Sequence, residues 1–119
     1  MNELKLGVVE SRFADIIWQQ APLTTGELVK LAAAELNWKR TTTYTVLKRL
    51  CERGIFETED GTVNVRISRQ EFYAAQSEKF VEETFEGSLP AFLTAFGTRK
   101  KMSEAEINEL KAIIENMRG

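Results

Sequence analysis

RTTTYTVLKRLCER, residues 40–53, followed without a break by GIFETEDGTVNVRIS, residues 54–68, is the stretch that decides the fold. In its first part Thr43, Val46, Leu47 and Leu50 recur at i, i+3, i+4 and i+7. That is one inward stripe of a helix, and it stops at Gly54, a residue suited to the left-handed turn that ends helices. The stripe leaves Arg40, Thr41, Thr42, Tyr44, Thr45, Lys48 and Arg49 on or near the outer face. Three threonines in a row are poor helix formers, each several tenths of a kcal/mol worse than Ala. Their short hydroxyls gain nothing for folding, but they suit a surface that lies close to hydrogen-bonding edges. After Gly54 the period changes from 3.6 to 2. Ile55-Phe56-Glu57-Thr58 and Thr62–Ser68 read as strands, with Val63, Val65 and Ile67 alternating against Asn64 and Arg66. Asp60-Gly61 between them suits a type I′ hairpin turn, which needs φ > 0 at both central positions.

Upstream, Val9, Phe13, Ile16 and Ile17 form the apolar stripe of a helix over 8–20, ended by Ala21-Pro22 because the residue before proline avoids the α region. Thr24 and Glu27 make a capping box that opens a second helix to about Leu36, with Leu28, Leu31, Ala32 and Leu36 inward and Asn37 breaking it. Three helices followed by a hairpin is the element order of a winged helix-turn-helix. Downstream every signal is helical. Ser68 and Glu71 cap a helix to about Glu86, Gly87-Ser88 breaks it, a short apolar helix ends near Gly97, and Ser103 and Glu106 cap the last one. The fold class expected is mainly α with a small β-hairpin wing. Residues 1–69 form the winged helix-turn-helix and residues 70–119 a helical dimerisation domain. Phe80, Phe85, Leu89, Phe92, Phe96, Ile107, Leu110 and Ile114 are more apolar than the small N-terminal unit can cover, so burial against a second copy of the chain is expected.

Composition narrows the function. The 119 residues hold one Cys and no His. Zinc and copper sites of the usual nitrogen and sulfur kind, and triads built on Ser–His or Cys–His, therefore cannot be assembled within one chain. No convergent carboxylate pair replaces them, so neither an enzyme nor a cofactor is expected. No apolar run is long enough to span a membrane and the opening residues carry no export signal, which with the single Cys fits a cytoplasmic protein. Cys51 has no second thiol beside it. Trp18 and Trp38 read as packing residues, Arg99-Lys100-Lys101 as an exposed joint, and Glu82, Glu83 and Glu86 as a solvated helix face.

Charge is unevenly placed. Residues 1–69 hold 10 basic and 9 acidic side chains, whereas residues 70–119 hold 6 and 9. Between Trp38 and Arg53 stand Lys39, Arg40, Lys48, Arg49 and Arg53 against Glu52 alone, a net of +4. A recognition helix in the DNA major groove accounts for this, with Arg and Lys reaching guanine and Thr reaching base edges or thymine methyls. Lys39, Arg53 and Arg66 would hold phosphates. Against a large role for the wing, its tip carries Glu57, Glu59 and Asp60 and no base. The alternative is a winged-helix module that docks a protein and not DNA, with the +4 face simply solvated.

A wider pattern now stands out. Ile16-Ile17-Trp18, Asn37-Trp38, Thr42-x-x-Thr45-x-Leu47-x-Arg49-Leu50-x-x-x-Gly54, Gly87-Ser88-Leu89 and Met102-Ser103-Glu104-Ala105-Glu106-Ile107-Asn108-Glu109-Leu110 together resemble the penicillinase-repressor family, BlaI/MecI/CopY type. The resemblance runs from about Val9 to Ile114. It implies a dimeric repressor on an inverted-repeat double-stranded DNA operator ahead of β-lactamase, resistance or copper-handling genes. It also implies induction by a membrane sensor-protease that cuts an Asn-Phe bond after the Gly-Ser-Leu signal. That bond falls here at Ala95-Phe96, where Ala replaces the polar residue, so the expectation is a retained dimer with cleavage disfavoured. Lys39, Arg40, Thr41 and Thr42 stand where the family often has Ser-Pro-Lys-Thr, and Tyr44 where many members have a basic residue, so the operator sequence does not carry over. The copper-responsive branch has a cysteine-rich tail, and these residues end MRG, so its metal chemistry is not expected.

Overall fold

The computed structural model describes residues 6–118 and divides into two compact units, one running through Ser77 and the other from Glu78 onward. Residues 1–5, part of the opening read for an export signal, and Gly119 at the tail lie outside the described residues.

The first unit contains α1 (Val8–Gln20), β1 (Leu23–Thr24), α2 (Thr25–Leu36), α3 (Arg40–Glu52), β2 (Phe56–Glu59), β3 (Thr62–Val65) and the first turns of α4 (Arg69–Phe85). Local chemistry sets each boundary. Thr24 Oγ1 accepts from the Glu27 N–H at 3.0 Å while the Thr24 N–H donates to the Glu27 carboxylate at 2.8 Å, the reciprocal bonds of a capping box. Asn37 ends α2 with φ at 58°, a left-handed conformation its short polar side chain tolerates. Asp60 and Gly61 take φ values of 50° and 74°, as a type I′ hairpin requires.

The sheet has the antiparallel order β1-β3-β2, with Leu23 opposite Val63 and Phe56 opposite Val65. β1 is a strand that periodicity does not reveal, since two residues have no period. It forms because Leu23 is buried beside Val63, and because the Thr25 N–H reaches the Gly61 carbonyl at 3.0 Å just beyond it. β3 stops at Val65, short of the expected Ser68, as the Arg66 and Ile67 N–H groups both turn to the Ile55 carbonyl. Val65 is consequently exposed and Ile67 only half-buried.

The core of this unit joins Phe13, Ile17, Leu28, Leu50, Ile55, Phe56, Val63 and Phe72, all essentially out of water. Complete burial of each such side chain is worth about 1.5–3 kcal/mol. Val9, expected inward, is exposed, whereas Ala14 in the same helix is buried. Both tryptophans pack: Trp38 against Phe13, and Trp18 against Phe56, Phe72 and Tyr73. The Trp18 indole N–H donates to the Ile67 carbonyl at 2.9 Å, so its polar edge is satisfied as well. An ion pair of 2.8 Å between Arg69 and Asp15 ties the start of α4 to α1.

The second unit comprises the end of α4, α5 (Leu89–Arg99) and α6 (Glu104–Met117). Ser88 Oγ caps α5 by accepting from the Ala91 N–H, and Ser103 with Glu106 forms the capping box of α6. Phe80, Phe85, Phe92 and Phe96 make a chain of edge-to-face and tilted ring contacts with centroids 5.6–6.2 Å apart. Yet neither α5 nor α6 contains a buried residue. Among the described residues no helix is long and apolar enough to cross a membrane, and no group of His, Cys, Asp or Glu could hold a metal ion.

Candidate nucleic-acid interface

α3 presents two contrasting faces. Thr43, Val46, Leu47 and Leu50 are buried, and the buried Thr43 hydroxyl is satisfied by donating to the Lys39 carbonyl. Arg40, Thr41, Thr42, Tyr44, Thr45, Lys48 and Arg49 are all exposed. The start of α3, like that of α1 at Gly7, has no side-chain oxygen cap. Side-chain oxygens of Thr24, Ser88 and Ser103 cap α2, α5 and α6, but Lys39 sits at the head of α3 with no side-chain cap. Replacing an oxygen cap forfeits about 0.5–2 kcal/mol. Lys39 and Arg40 moreover put two cations at the positive end of the helix dipole, where anions are preferred. Folding alone does not select this arrangement. A nearby phosphate backbone would offset both costs.

The cations on this face are not equivalent. Lys39, Arg40 and Lys48 meet no carboxylate among the described residues. Arg49 does: its Nη1 lies 2.9 Å from Glu10 Oε2 on α1. That carboxylate also accepts the Gly7 N–H, and the bond to Gly7, followed by Arg49, holds its pKa below the usual value for Glu. Arg40 lies over the Tyr44 ring, with its guanidinium carbon 5.4 Å from the ring centroid. The Thr45 hydroxyl donates back to the Thr41 carbonyl at 2.9 Å, which leaves its lone pairs outward. Arg53, at the end of α3, is half-buried and contributes to the field that lowers the Glu10 pKa.

The wing is weakly suited to an anionic partner. Glu57, Glu59 and Asp60 are exposed, and Arg66 stands 3.5 Å from Glu57 across the hairpin. Behind the outer face of α3, Thr25, Tyr44, Leu47, Lys48, Cys51 and Thr58 line an open cavity of about 310 Å³. Cys51 Sγ lies 3.6 Å from Thr58 Oγ1 there. Sequence reasoning did not find the Glu10–Arg49 pair. Its members are 39 residues apart and nothing in the pattern of either helix links them.

In the second unit Phe80, Leu89, Phe96, Ile107 and Ile114 are each between 39% and 50% exposed, and Phe85, Phe92 and Leu110 are half-buried. Phe92, Leu93, Phe96, Met102, Leu110 and Ile113, with Glu106 and Glu109, line a mostly apolar cavity of about 270 Å³ between α5 and α6. The Ala95-Phe96 bond lies within α5, with the Phe96 carbonyl accepting from the Lys100 N–H at 3.1 Å.

Comparison with known proteins agrees with this geometry. The model of a family described as penicillinase repressor matches residues 6–116. The chain is also 28% identical over 104 residues to a penicillinase repressor of Bacillus licheniformis, covering 84% of this chain and 81% of that protein. The chain therefore belongs to the penicillinase repressor family, and is a DNA-binding transcriptional repressor and not an enzyme.

Proposed function

We propose that the chain acts in the cytoplasm as a homodimer that lays α3 of each copy into the major groove of one half of an inverted-repeat operator, so repressing β-lactamase or other resistance genes. The observation that carries this reading is the outer face of α3, where Lys39, Arg40 and Lys48, which meet no carboxylate among the described residues, accompany exposed Thr41, Thr42, Tyr44 and Thr45. Arg and Lys suit guanine or phosphate, and threonine hydroxyls and methyls suit base edges. The acidic wing tip adds little.

Dimerisation is supported by the apolar side chains of α5 and α6, which this chain alone leaves uncovered. Linking two DNA-binding units makes the second half-site contact intramolecular, which raises avidity without new contacts. A membrane sensor-protease remains the class of upstream partner implied by the family, but Ala95 offers it no polar side chain. A helical peptide bond must also unfold locally before it is cut. The test is binding to DNA flanking the protein's own gene across a salt series, followed by a footprint. Binding that weakens steeply with salt and protects a symmetric site supports the proposal; affinity with no sequence preference and no protected site refutes it.

A further inference from the structure

Arg40 and Tyr44 lie one turn apart on the outer face of α3, and their side chains meet. Besides the stacking of the guanidinium over the ring at 5.4 Å, Arg40 Nη2 approaches the Tyr44 hydroxyl at 3.4 Å. Tyr44 borders an open cavity lined also by Thr25, Leu47, Lys48, Cys51 and Thr58, and is 36% exposed. Arg49 on the same face is held by Glu10, whereas Arg40 meets no carboxylate among the described residues. Its charge is thus positioned by an uncharged platform and not neutralised.

Two-point recognition of guanine O6 and N7 needs the planar guanidinium fork aimed along one direction. A free arginine loses much rotamer freedom in reaching that aim, and a ring that already stacks the guanidinium reduces the loss. The fork is not used up by its partner. Of five N–H donors, the contact with the phenolic oxygen engages one on Nη2 and leaves the second on Nη2, both on Nη1 and the one on Nε.

We propose that Arg40 and Tyr44 form one readout unit, in which Arg40 reads a guanine in each half-site and Tyr44 is the positioning residue that holds its guanidinium. This rests on α3 being the helix that enters the major groove. Because the ring does the holding, Phe serves nearly as well as Tyr and Ala does not.

The test uses duplexes selected from a randomised pool by the full-length chain, with each guanine then replaced singly and affinities measured by competition. Arg40→Ala abolishes discrimination at one guanine per half-site, a loss of about 5- to 150-fold confined to that position. Tyr44→Ala lowers discrimination at the same guanine by about 2- to 5-fold, Tyr44→Phe restores most of it, and the double variant is no worse than Arg40→Ala alone. Uniform weakening by Arg40→Ala with a shallower salt dependence would make it a phosphate contact and overturn the proposal. So would a Tyr44→Ala effect at a different base pair, since Tyr44 would then be reading DNA itself. Lys48→Ala is the control for the underlying reading: if it, Arg40→Ala and Tyr44→Ala all bind as the parent does, α3 is not the interface and both readings fall together.

Discussion

Arg49 and Lys48 are neighbours on the outer face of α3, yet the structure assigns them different fates, and replacing each by Ala separates them. Arg49 is tied to Glu10 at 2.9 Å with the two side chains 54% and 24% exposed, so the pair is partly solvated. Such pairs are worth about 0.2–1 kcal/mol. A unit of this size shifts its melting temperature by about 4–8 °C per kcal/mol, so Arg49→Ala should lower Tm by about 1–8 °C. Glu10 keeps its bond from the Gly7 N–H, the larger cause of its lowered pKa, so α1 keeps its start. Lys48 meets no carboxylate among the described residues, and Lys48→Ala should leave Tm nearly unchanged. On DNA the order reverses. Lys48→Ala should flatten the salt dependence by about one phosphate contact per half-site, whereas Arg49→Ala should leave that slope close to the parent value. Calorimetry and a salt titration of operator binding measure the two effects on the same preparations. Equal flattening by both variants, with Tm unmoved by Arg49→Ala, would show that Arg49 leaves Glu10 for DNA and would refute the assignment.

Three further outcomes are expected. Phe96→Glu, or Ile114→Glu, places a carboxylate on the apolar side chains of the second unit; it should yield a monomer by sedimentation velocity and lose about 10²- to 10⁴-fold in affinity for a two-half-site duplex, with single half-site affinity retained. Glu10, Glu27 and Glu71 have pKa values lowered chiefly by the backbone N–H groups of Gly7, Thr24 and Ser68, so the stability they contribute is complete above the ordinary Glu value of about 4.3 and is lost as pH falls through the lowered values. Melting curves should therefore be flat from neutral pH to about 5 and fall in acid, with a weaker fall in a Glu27→Gln, Glu71→Gln variant. Mass spectrometry of the protein from β-lactam-treated cells should show an intact Ala95-Phe96 bond, and a fragment ending at Ala95 would overturn the reading of that site.

What the sequence reveals about this molecule follows the range of the interactions. Capping boxes at Thr24, Ser68 and Ser103, the turn at Asp60-Gly61 and the two faces of α3 depend on residues within a turn or two of one another, and each is present in the structure. β1 depends on pairing with a strand about 40 residues away, so no local period announces it. Val9 has the spacing of a core residue yet is exposed, since the period alone does not say which elements pack against that turn. The candidate interface divides in the same way. Which side chains face outward on α3 is a matter of helical period, whereas the binding of Arg49 by Glu10 and of Arg66 by Glu57 depends on which elements meet. The Arg40–Tyr44 pair lies between these cases: the four-residue spacing allows it, and the cavity that the ring borders is lined also by residues of other elements.

Both tryptophans of the chain are packed in the first unit, Trp18 among Phe56, Phe72 and Tyr73 and Trp38 beside Phe13, and the second unit has none. Intrinsic emission is therefore a selective lamp that lights the first unit alone. Far-ultraviolet dichroism, in contrast, sums helices from both, since α5 and α6 contribute 11 and 14 residues. Followed together through a denaturant titration, the two signals coincide only if the units melt as one. A dichroism loss that precedes the change in emission would time the unravelling of the second unit in the unlabelled wild-type protein, with the first unit still folded and reporting on itself.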